Sequence, residues 1–290
     1  MTPACARCPL ANFHNDQAEG LRRMLAGPRP RVFTFLSALP DEEKNAMLTN
    51  LGASLVRSGS DVLMLDARAA AGGIAAQLDA PRRASLLDVA RQEGRMSELV
   101  QSMPQGFGVA RLAHATVQAR SQLEAAVQDD LLMRRLGQAF GTLAREHDIV
   151  VVDGELGVDD GFALPALAGG EIVVQVSNSA ASIKAAYSMI KRLTSALGRR
   201  PISVVVSGVD ERQAGVVHDN IAQVASRYLA TRVELLGSVP ADEHVGRAAR
   251  LGRSVVEAFP LAGASLAFRK LAGRCSMADL APAAGMRMAG

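Results

Sequence analysis

The fold is decided by residues 31–66, which read RVFTFLSALPDEEKNAMLTNLGASLVRSGSDVLMLD. Residues 31–36 are rich in β-branched and aromatic side chains, a composition typical of a strand. Residues 42–57 have the periodicity of a helix, and residues 62–66 are a second short apolar run. A strand, a short loop, a helix and a buried strand are the repeating unit of a parallel sheet.

The same alternation continues along the chain. Apolar runs at 148–153, 171–176, 202–207 and 233–236 predict further strands, and residues 106–112 predict a short one. Helices are predicted at 82–101, 129–146, 179–197, 215–229 and 254–274, the last with a break near Gly263. The pattern predicts an α/β fold, a doubly wound and mainly parallel sheet flanked by helices. The loops after Leu36, Asp66, Asp153 and Ser207 should converge on one face, where such sheets bind ligands.

Composition limits the classes of function. The chain has 290 residues, of which 49% are hydrophobic, enough for one large domain at 30–276 between tails at 1–29 and 277–290. Basic residues number 32 and acidic residues 29, without a dense basic run, and aromatics are 3%, so we expect no nucleic-acid partner. No apolar run reaches about 18 residues and no signal peptide is evident, so we expect a cytoplasmic protein. The C-terminal tail is expected to be disordered.

The segment between the first strand and helix stands where a phosphate-binding loop would lie. Lys44 takes the place of the lysine that reaches the phosphates. The glycines of such a loop are absent, Pro40 removes a backbone N–H, and Asp41 begins a run of three acids. These acids suit the positive end of the helix dipole, so we expect carboxylates to replace phosphate there, with Arg68 pairing to Asp41 or Glu42. An ordinary strand–helix loop is the alternative.

Three further segments carry a resemblance to a known family. Residues 16–24 read DQAEGLRRM, residues 179–191 read SAASIKAAYSMIK, and residues 236–245 read LGSVPADEHV. With the strand–loop–helix–strand unit, the chain resembles the MinD/ParA-type deviant Walker ATPases across residues 16–274. The branch that it resembles most is that of the FlhG (FleN) regulators of flagellar number. The resemblance implies the P-loop NTPase-like fold of the MinD/ParA type.

The family's nucleotide loop reads KGGVGKT, and the matching residues 39–45 read LPDEEKN. Leu39 occupies the position of the family's lysine that reaches across an ATP-bound dimer, and Asn45 occupies that of the hydroxyl residue that holds Mg²⁺. Arg68 stands for the acid that orients water. The resemblance implies a pseudo-ATPase with a degenerate Walker A loop, no ATP cofactor, no ATPase activity and a monomeric state. Weak ATP and Mg²⁺ binding through Lys44 and Asp153 is the alternative, and Asp153 could equally be a structural cap. The degenerate nucleotide site comprises Asp41, Glu42, Glu43, Lys44, Asn45, Asp66, Arg68, Asp153, Gly157 and Ser207.

The N-terminal segment is predicted to be a partner-binding helix at residues 16–25. Asp16 can cap it, with Glu19 at the third helical position. The resemblance implies that the DQA element engages a GTPase like FlhF, where the Gln17 amide could orient water in phosphoryl transfer. A helix packed on its own domain is the alternative. The expected contact residues are Asp16, Gln17, Ala18, Leu21 and Arg22.

The sequence therefore predicts an FlhG-like regulator of flagellar number or placement that acts as a nucleotide-independent interaction module. Flagellar switch proteins and transcriptional regulators are further candidate partners. The tail at 281–290 lacks the basic face needed for a membrane surface, so we expect no membrane attachment. Cys5 and Cys8 have metal-ligand spacing without a full ligand set, so no metal site is expected. The alternatives are an active MinD-type ATPase that cycles on and off membrane and a scaffold for pilus or division-site placement.

Overall fold

The computed structural model describes residues 30–116 and 118–277. Within these residues one sheet has the strand order β3-β4-β2-β5-β1-β6-β7-β8. All neighbouring strands are parallel except the β3–β4 pair. The strands are β1 (Arg31–Ser37), β2 (Val62–Asp66), β3 (Gln101–Ser102), β4 (Gly108–Arg111), β5 (Ile149–Asp153), β6 (Glu171–Ser177), β7 (Ile202–Ser207) and β8 (Val233–Val239).

Helices cover both faces of this sheet. They are α1 (Asp41–Arg57), α2 (Ile74–Gln77), α3 (Leu86–Ala90), α4 (Ala119–Val127), α5 (Asp130–Arg145), α6 (Ala180–Leu197), α7 (Glu211–Leu229), α8 (Glu243–Arg250), α9 (Val255–Ala258) and α10 (Gly263–Met277). One core cluster contains Phe140 and Ile190 from α5 and α6, and the other contains Leu51 and Phe268 from α1 and α10. The predicted doubly wound, mainly parallel α/β fold is confirmed.

One predicted helix is wrong. Residues 82–101 form the short helix α3, a single turn at Met96–Glu98 and the start of β3. The Ser85 and Asp88 side chains make a reciprocal capping box that begins α3. Gln92 has a positive φ of 66°, which reverses the chain after one and a half turns. The helices α2, α4 and α8 are absent from the sequence-based prediction.

Among the described helices, none combines the length and the apolar character that a membrane crossing requires. The predicted partner-binding helix at 16–25, Cys5, Cys8 and the tail at 278–290 lie outside the described residues.

Candidate functional site

The connection between β1 and α1 leaves little free backbone around the predicted phosphate position. β1 ends at Ser37 and α1 begins at Asp41. The Ala38 amide donates to the Gln175 carbonyl at 2.9 Å, so it continues the sheet. The Leu39 amide donates to Ser37 Oγ at 3.0 Å. Both linker amides that could have reached a ligand are therefore used within the protein.

The first turn of α1 replaces the expected phosphate loop. Pro40 occupies the N-cap position, with φ −56° and ψ 155°, and offers no N–H. The Lys44 amide donates to the Pro40 carbonyl at 3.1 Å, which closes the first helical turn. Asp41, Glu42 and Glu43 fill this turn, and their charges complement the helix dipole. The helix thus starts three residues before the lysine rather than at it.

Lys44 and Asp153 form a buried ion pair between the start of α1 and the end of β5. Lys44 Nζ contacts Asp153 Oδ1, and the two residues are 3% and 0% exposed. Asp153 Oδ2 also accepts the Ile74 amide at 2.8 Å. Burial raises the pKa of Asp153, and the Lys44 ammonium and the Ile74 amide oppose that rise. Lys44 is therefore paired with a carboxylate of the same chain.

Asp66 lies beside Asp153 because β2 and β5 are paired in register at these residues. Its carboxylate accepts the Arg68 amide at 3.2 Å and the Ala75 amide at 3.1 Å. Burial, with the nearby charge of Asp153, raises the pKa of Asp66 to about 6. Two buried carboxylates and one lysine therefore meet at the strand ends.

Arg68 closes the site from the loop after β2. Its Nη1 lies 2.7 Å from Asp41 Oδ1 and donates to the Gly72 carbonyl at 3.2 Å. Its Nε lies 3.6 Å from Glu155 Oε2. Asp41 Oδ1 is also 4.0 Å from Lys44 Nζ. The ion pair that the sequence predicted between Arg68 and the acidic run is present, with Asp41 as the partner.

Two glycines that the sequence analysis did not single out allow this loop to pack on α1. A Cβ at Gly73 would lie 2.4 Å from the carboxylate oxygens of Asp66, and one at Gly72 would lie 2.8 Å from Asp41 Oδ2. Gly72 also has a φ of +94°, a region that favours glycine. The Asn45 side-chain amide donates to the Gly72 carbonyl at 2.9 Å. The pair of adjacent glycines was the feature of the sequence that could have indicated this close packing.

Glu155 is a second residue that the sequence analysis missed. Its Oε1 accepts the Ala69 amide at 2.9 Å and lies 3.8 Å from Arg120 Nη2. With the contact to Arg68, it ties the loop after β5 to the loop after β2. The residue lies between Asp153 and Gly157, both of which the sequence analysis assigned to the degenerate nucleotide site.

A small cleft remains at this site. Its volume is about 130 Å³, and Asp41, Lys44, Arg68, Glu155 and Arg192 contribute its charged lining. Pockets for small organic ligands are typically about 300–1,000 Å³. The cleft is therefore smaller than a typical site for a small organic ligand.

The remaining predicted site residues lie outside this cleft. Glu42 and Glu43 are exposed, and neither lines it. Gly157 lines a separate groove beside α4. Ser207 Oγ accepts the Gln175 side-chain amide at 3.0 Å, and that amide is also 3.4 Å from the Glu43 carbonyl, so Ser207 connects to α1 only through Gln175. The predicted contact residues Asp16, Gln17, Ala18, Leu21 and Arg22 are outside the described residues.

Comparison with known proteins gives one curated relative and many related structures. The chain is 28% identical over 230 residues to the antiactivator FleN of Pseudomonas aeruginosa, covering 79% of this chain and 80% of that protein. No family model matches the chain.

Solved structures share the fold at low sequence identity. The MinD cell division ATPase of Pyrococcus furiosus superposes with a TM-score of 0.63 at 17% identity, covering 84% of this chain and 97% of the other. A ParA family ATPase of Chlorobium tepidum superposes with a TM-score of 0.62, with the same identity and coverage. The FleN similarity and this shared architecture agree with the motifs at 179–191 and 236–245. The chain is therefore similar in sequence to FleN and shares the fold of MinD/ParA-type ATPases.

Proposed function

We propose that this protein is an FlhG-like regulator of flagellar number or placement that works without binding ATP. It acts as an interaction module, and its N-terminal DQA element engages a GTPase like FlhF. The α/β body supplies a fixed surface beside that element. Because no ATP bridges two copies in this proposal, the protein works as a monomer.

The Lys44–Asp153 ion pair is the observation that carries the proposal. A lysine that serves a triphosphate must be free to leave its internal partner, whereas this one is 3% exposed and paired with a carboxylate that is fully buried. Separating such a pair leaves an uncompensated buried charge, which typically costs about 3–5 kcal/mol. A nucleotide would have to supply that free energy in addition to its own binding.

The electrostatics at the start of α1 support the same conclusion. Asp41 faces the cleft, and Arg68 already neutralises it at 2.7 Å. A phosphate entering there would meet a carboxylate in the place of glycine amides. At an effective dielectric constant near 20, two like charges about 5 Å apart repel by about 3 kcal/mol. Arg68 and Lys44 could attract the phosphate, but Arg68 is already paired with Asp41 and Lys44 with Asp153, so binding would require both cations to leave these partners.

The partner is supported by the resemblance of residues 16–24 and by the similarity to FleN, which is an antiactivator. An antiactivator acts on another protein, which fits a chain whose family site is filled by its own side chains. The choice of a GTPase like FlhF as partner rests on the DQA element alone.

Calorimetric titration of the full chain with ATP and ADP, each with Mg²⁺, tests the nucleotide part. We expect no saturable binding up to about 1 mM, which corresponds to about 4 kcal/mol. The variant Asp41→Asn removes the negative charge of the carboxylate in the cleft. The variant Glu42→Gln/Glu43→Gln is the matched control, because it removes negative charges from side chains that lie outside the cleft. Saturable binding by the wild type would overturn the proposal. ATP hydrolysis by the wild-type chain that the folded variant Lys44→Met/Asp153→Asn lacks would favour an active MinD-type ATPase instead.

GTP hydrolysis by an FlhF-like GTPase, measured with and without the full chain, tests the partner. We expect the chain to alter the rate and Gln17→Ala to remove most of that effect. Gln223→Ala, at an exposed position of α7, is the matched control and should act like the wild type. An unchanged rate with the wild-type chain would refute the GTPase as partner.

A further inference from the structure

An apolar groove separate from the cleft runs between α4 and the loop after β5. Its volume is about 350 Å³, and its lining is mostly apolar. Leu123 and Val127 of α4 form one wall, and Val158 and Phe162 form the other. Val158 is 78% exposed and Val127 is 41% exposed. We call this surface the α4 groove. Exposed aliphatic side chains around one concave surface are typical of a binding site for an apolar segment.

The rim of the α4 groove is mainly acidic. Glu124 and Asp159 are exposed and line it, and Glu155 is half-buried. Arg120 is the basic residue among the lining side chains, and it lies 3.8 Å from Glu155. An occupant that combines apolar and basic side chains would therefore be complementary to both the floor and the rim.

The described chain begins beside one end of this groove. Arg31 pairs with Glu171, and the turn Pro165–Gly169 that precedes Glu171 carries Pro165 and Ala168 into the groove lining. The Thr34 hydroxyl also donates to the Leu167 carbonyl at 2.7 Å, which fixes β1 against that turn. Ala168 is three residues from Glu171, so their Cα atoms are within about 11 Å of one another. Pro30, the first described residue, is therefore close to the turn that contributes Pro165 and Ala168 to the groove.

The sequence before that point has the composition that the groove requires. Residues 16–25 read DQAEGLRRML, in which Leu21 and Leu25 flank Arg22 and Arg23, while the acids Asp16 and Glu19 precede them, so the basic charge is confined to the second half of the segment. From residue 25 to residue 30 an extended chain spans at most about 17 Å. A tether of this length gives an effective concentration of millimolar order, so weak contacts are sufficient for occupancy.

We propose that residues 16–25 dock in the α4 groove of their own chain, with the leucines on the apolar floor and Arg22 and Arg23 against the acidic rim. The docked state withholds Leu21 and Arg22 from any other protein. This autoinhibition goes beyond the proposed function. The docking itself does not depend on that function, whereas its effect on a GTPase does. A partner that binds residues 16–25 must first displace them from the groove.

Cysteine cross-linking in the full chain tests the docking. In a Cys5→Ser/Cys8→Ser background the remaining Cys275 is fully buried and unreactive. Met24→Cys is combined with Val158→Cys in the groove or, as the control, with Leu266→Cys on α10. Leu266 is 48% exposed, and α10 packs on the opposite face of the sheet. Under mild oxidation we expect an intramolecular disulfide with Val158→Cys to form at least tenfold faster than with Leu266→Cys.

Charge reversal makes the test specific. Arg22→Glu/Arg23→Glu should remove this tenfold advantage, and adding Glu124→Arg should recover at least half of it. Circular dichroism confirms that each variant is folded, which is expected because Glu124 is exposed. Equal rates at the two positions, a rate insensitive to the charge reversals, or cross-linked dimers in place of monomers would each overturn the proposal. The last result would instead assign the groove to a second copy of the chain.

Discussion

Arg68 Nη1 lies 2.7 Å from Asp41 Oδ1, which joins the loop after β2 to the first turn of α1. The arginine side chain is 12% exposed and the aspartate side chain is 47% exposed, so the pair lies at the boundary between interior and solvent. The pair therefore holds the loop after β2 against the start of α1, at the edge of the small cleft.

Replacing Arg68 with alanine should lower the free energy of unfolding by about 1.5 kcal/mol, because a charge-assisted hydrogen bond to a half-exposed carboxylate is lost. Thermal denaturation measures the effect, with an expected fall in Tm of about 3–6 °C for a domain of this size. Arg120→Ala, whose side chain is 56% exposed and 3.8 Å from Glu155, is the control and should change Tm little. Equal Tm values for the two variants would contradict a structural role for the Arg68–Asp41 pair.

The elevated pKa of Asp66 predicts that stability rises as the pH falls. Because the folded pKa of about 6 is above the ordinary value of 3.8, the protonated form is favoured in the folded state. Its stabilising contribution is complete below pH 4 and is lost as the pH rises through 6. Between pH 7.5 and pH 5 it should add about 1.4 kcal/mol to the free energy of unfolding.

Urea denaturation at the two pH values, on the wild type and Asp66→Asn, isolates this contribution. All other ionisable side chains are common to the two proteins, so the difference between the two pH dependences reports Asp66 together with its interaction with Asp153. The asparagine retains an oxygen that can accept one of the two amides that Asp66 binds. If both proteins gained the same stability at pH 5, Asp66 would be ionised throughout and the prediction would be wrong.

Lys44→Ala should destabilise the fold by about 3–5 kcal/mol, because it leaves the carboxylate of Asp153 buried without a counter-charge. Combining Lys44→Met with Asp153→Asn should recover most of that loss, since neither side chain is then charged and the asparagine can still accept the Ile74 amide. Chemical denaturation of the two variants measures both effects. A Lys44→Ala protein as stable as the wild type would show that the fold does not need the ion pair between Lys44 and Asp153. Lys44 would then be free to bind a phosphate.

The strands were predictable because each has its own local signal. The apolar runs that became β2, β5 and β7 are buried on both faces, and such runs contrast sharply with the flanking polar residues. The region 82–101 gave a false helical signal. The helix in this region ends before Gln92, which has a positive φ although it is not a glycine, so the sequence gives no sign of the turn. The capping box at Ser85 marks the start of a short helix, whereas the pattern predicts one long helix across it.

The site was predictable only in part. The position of Arg68 against the acidic run followed from aligning the loops at the strand ends, and the structure contains that pair. Glu155 and the neighbouring glycines were not found, because their contacts arise between loops that are distant in sequence and lack regular periodicity. The exposure of Glu42 and Glu43 was also missed, since periodicity does not determine which side of a first turn faces a cleft.

Gly73→Ala should loosen the loop that closes the site. An added Cβ would lie 2.4 Å from the Asp66 carboxylate, so either the loop or the carboxylate must move, at an expected cost of about 1–3 kcal/mol. Gly137→Ala on α5 is the matched control, because nothing lies within 4 Å of its added Cβ and alanine favours a helix interior by up to about 1 kcal/mol. Thermal denaturation should therefore give a lower Tm for the first variant and an equal or higher Tm for the second. A Gly73→Ala protein as stable as the wild type would mean that the loop accommodates the methyl group without disturbing Asp66.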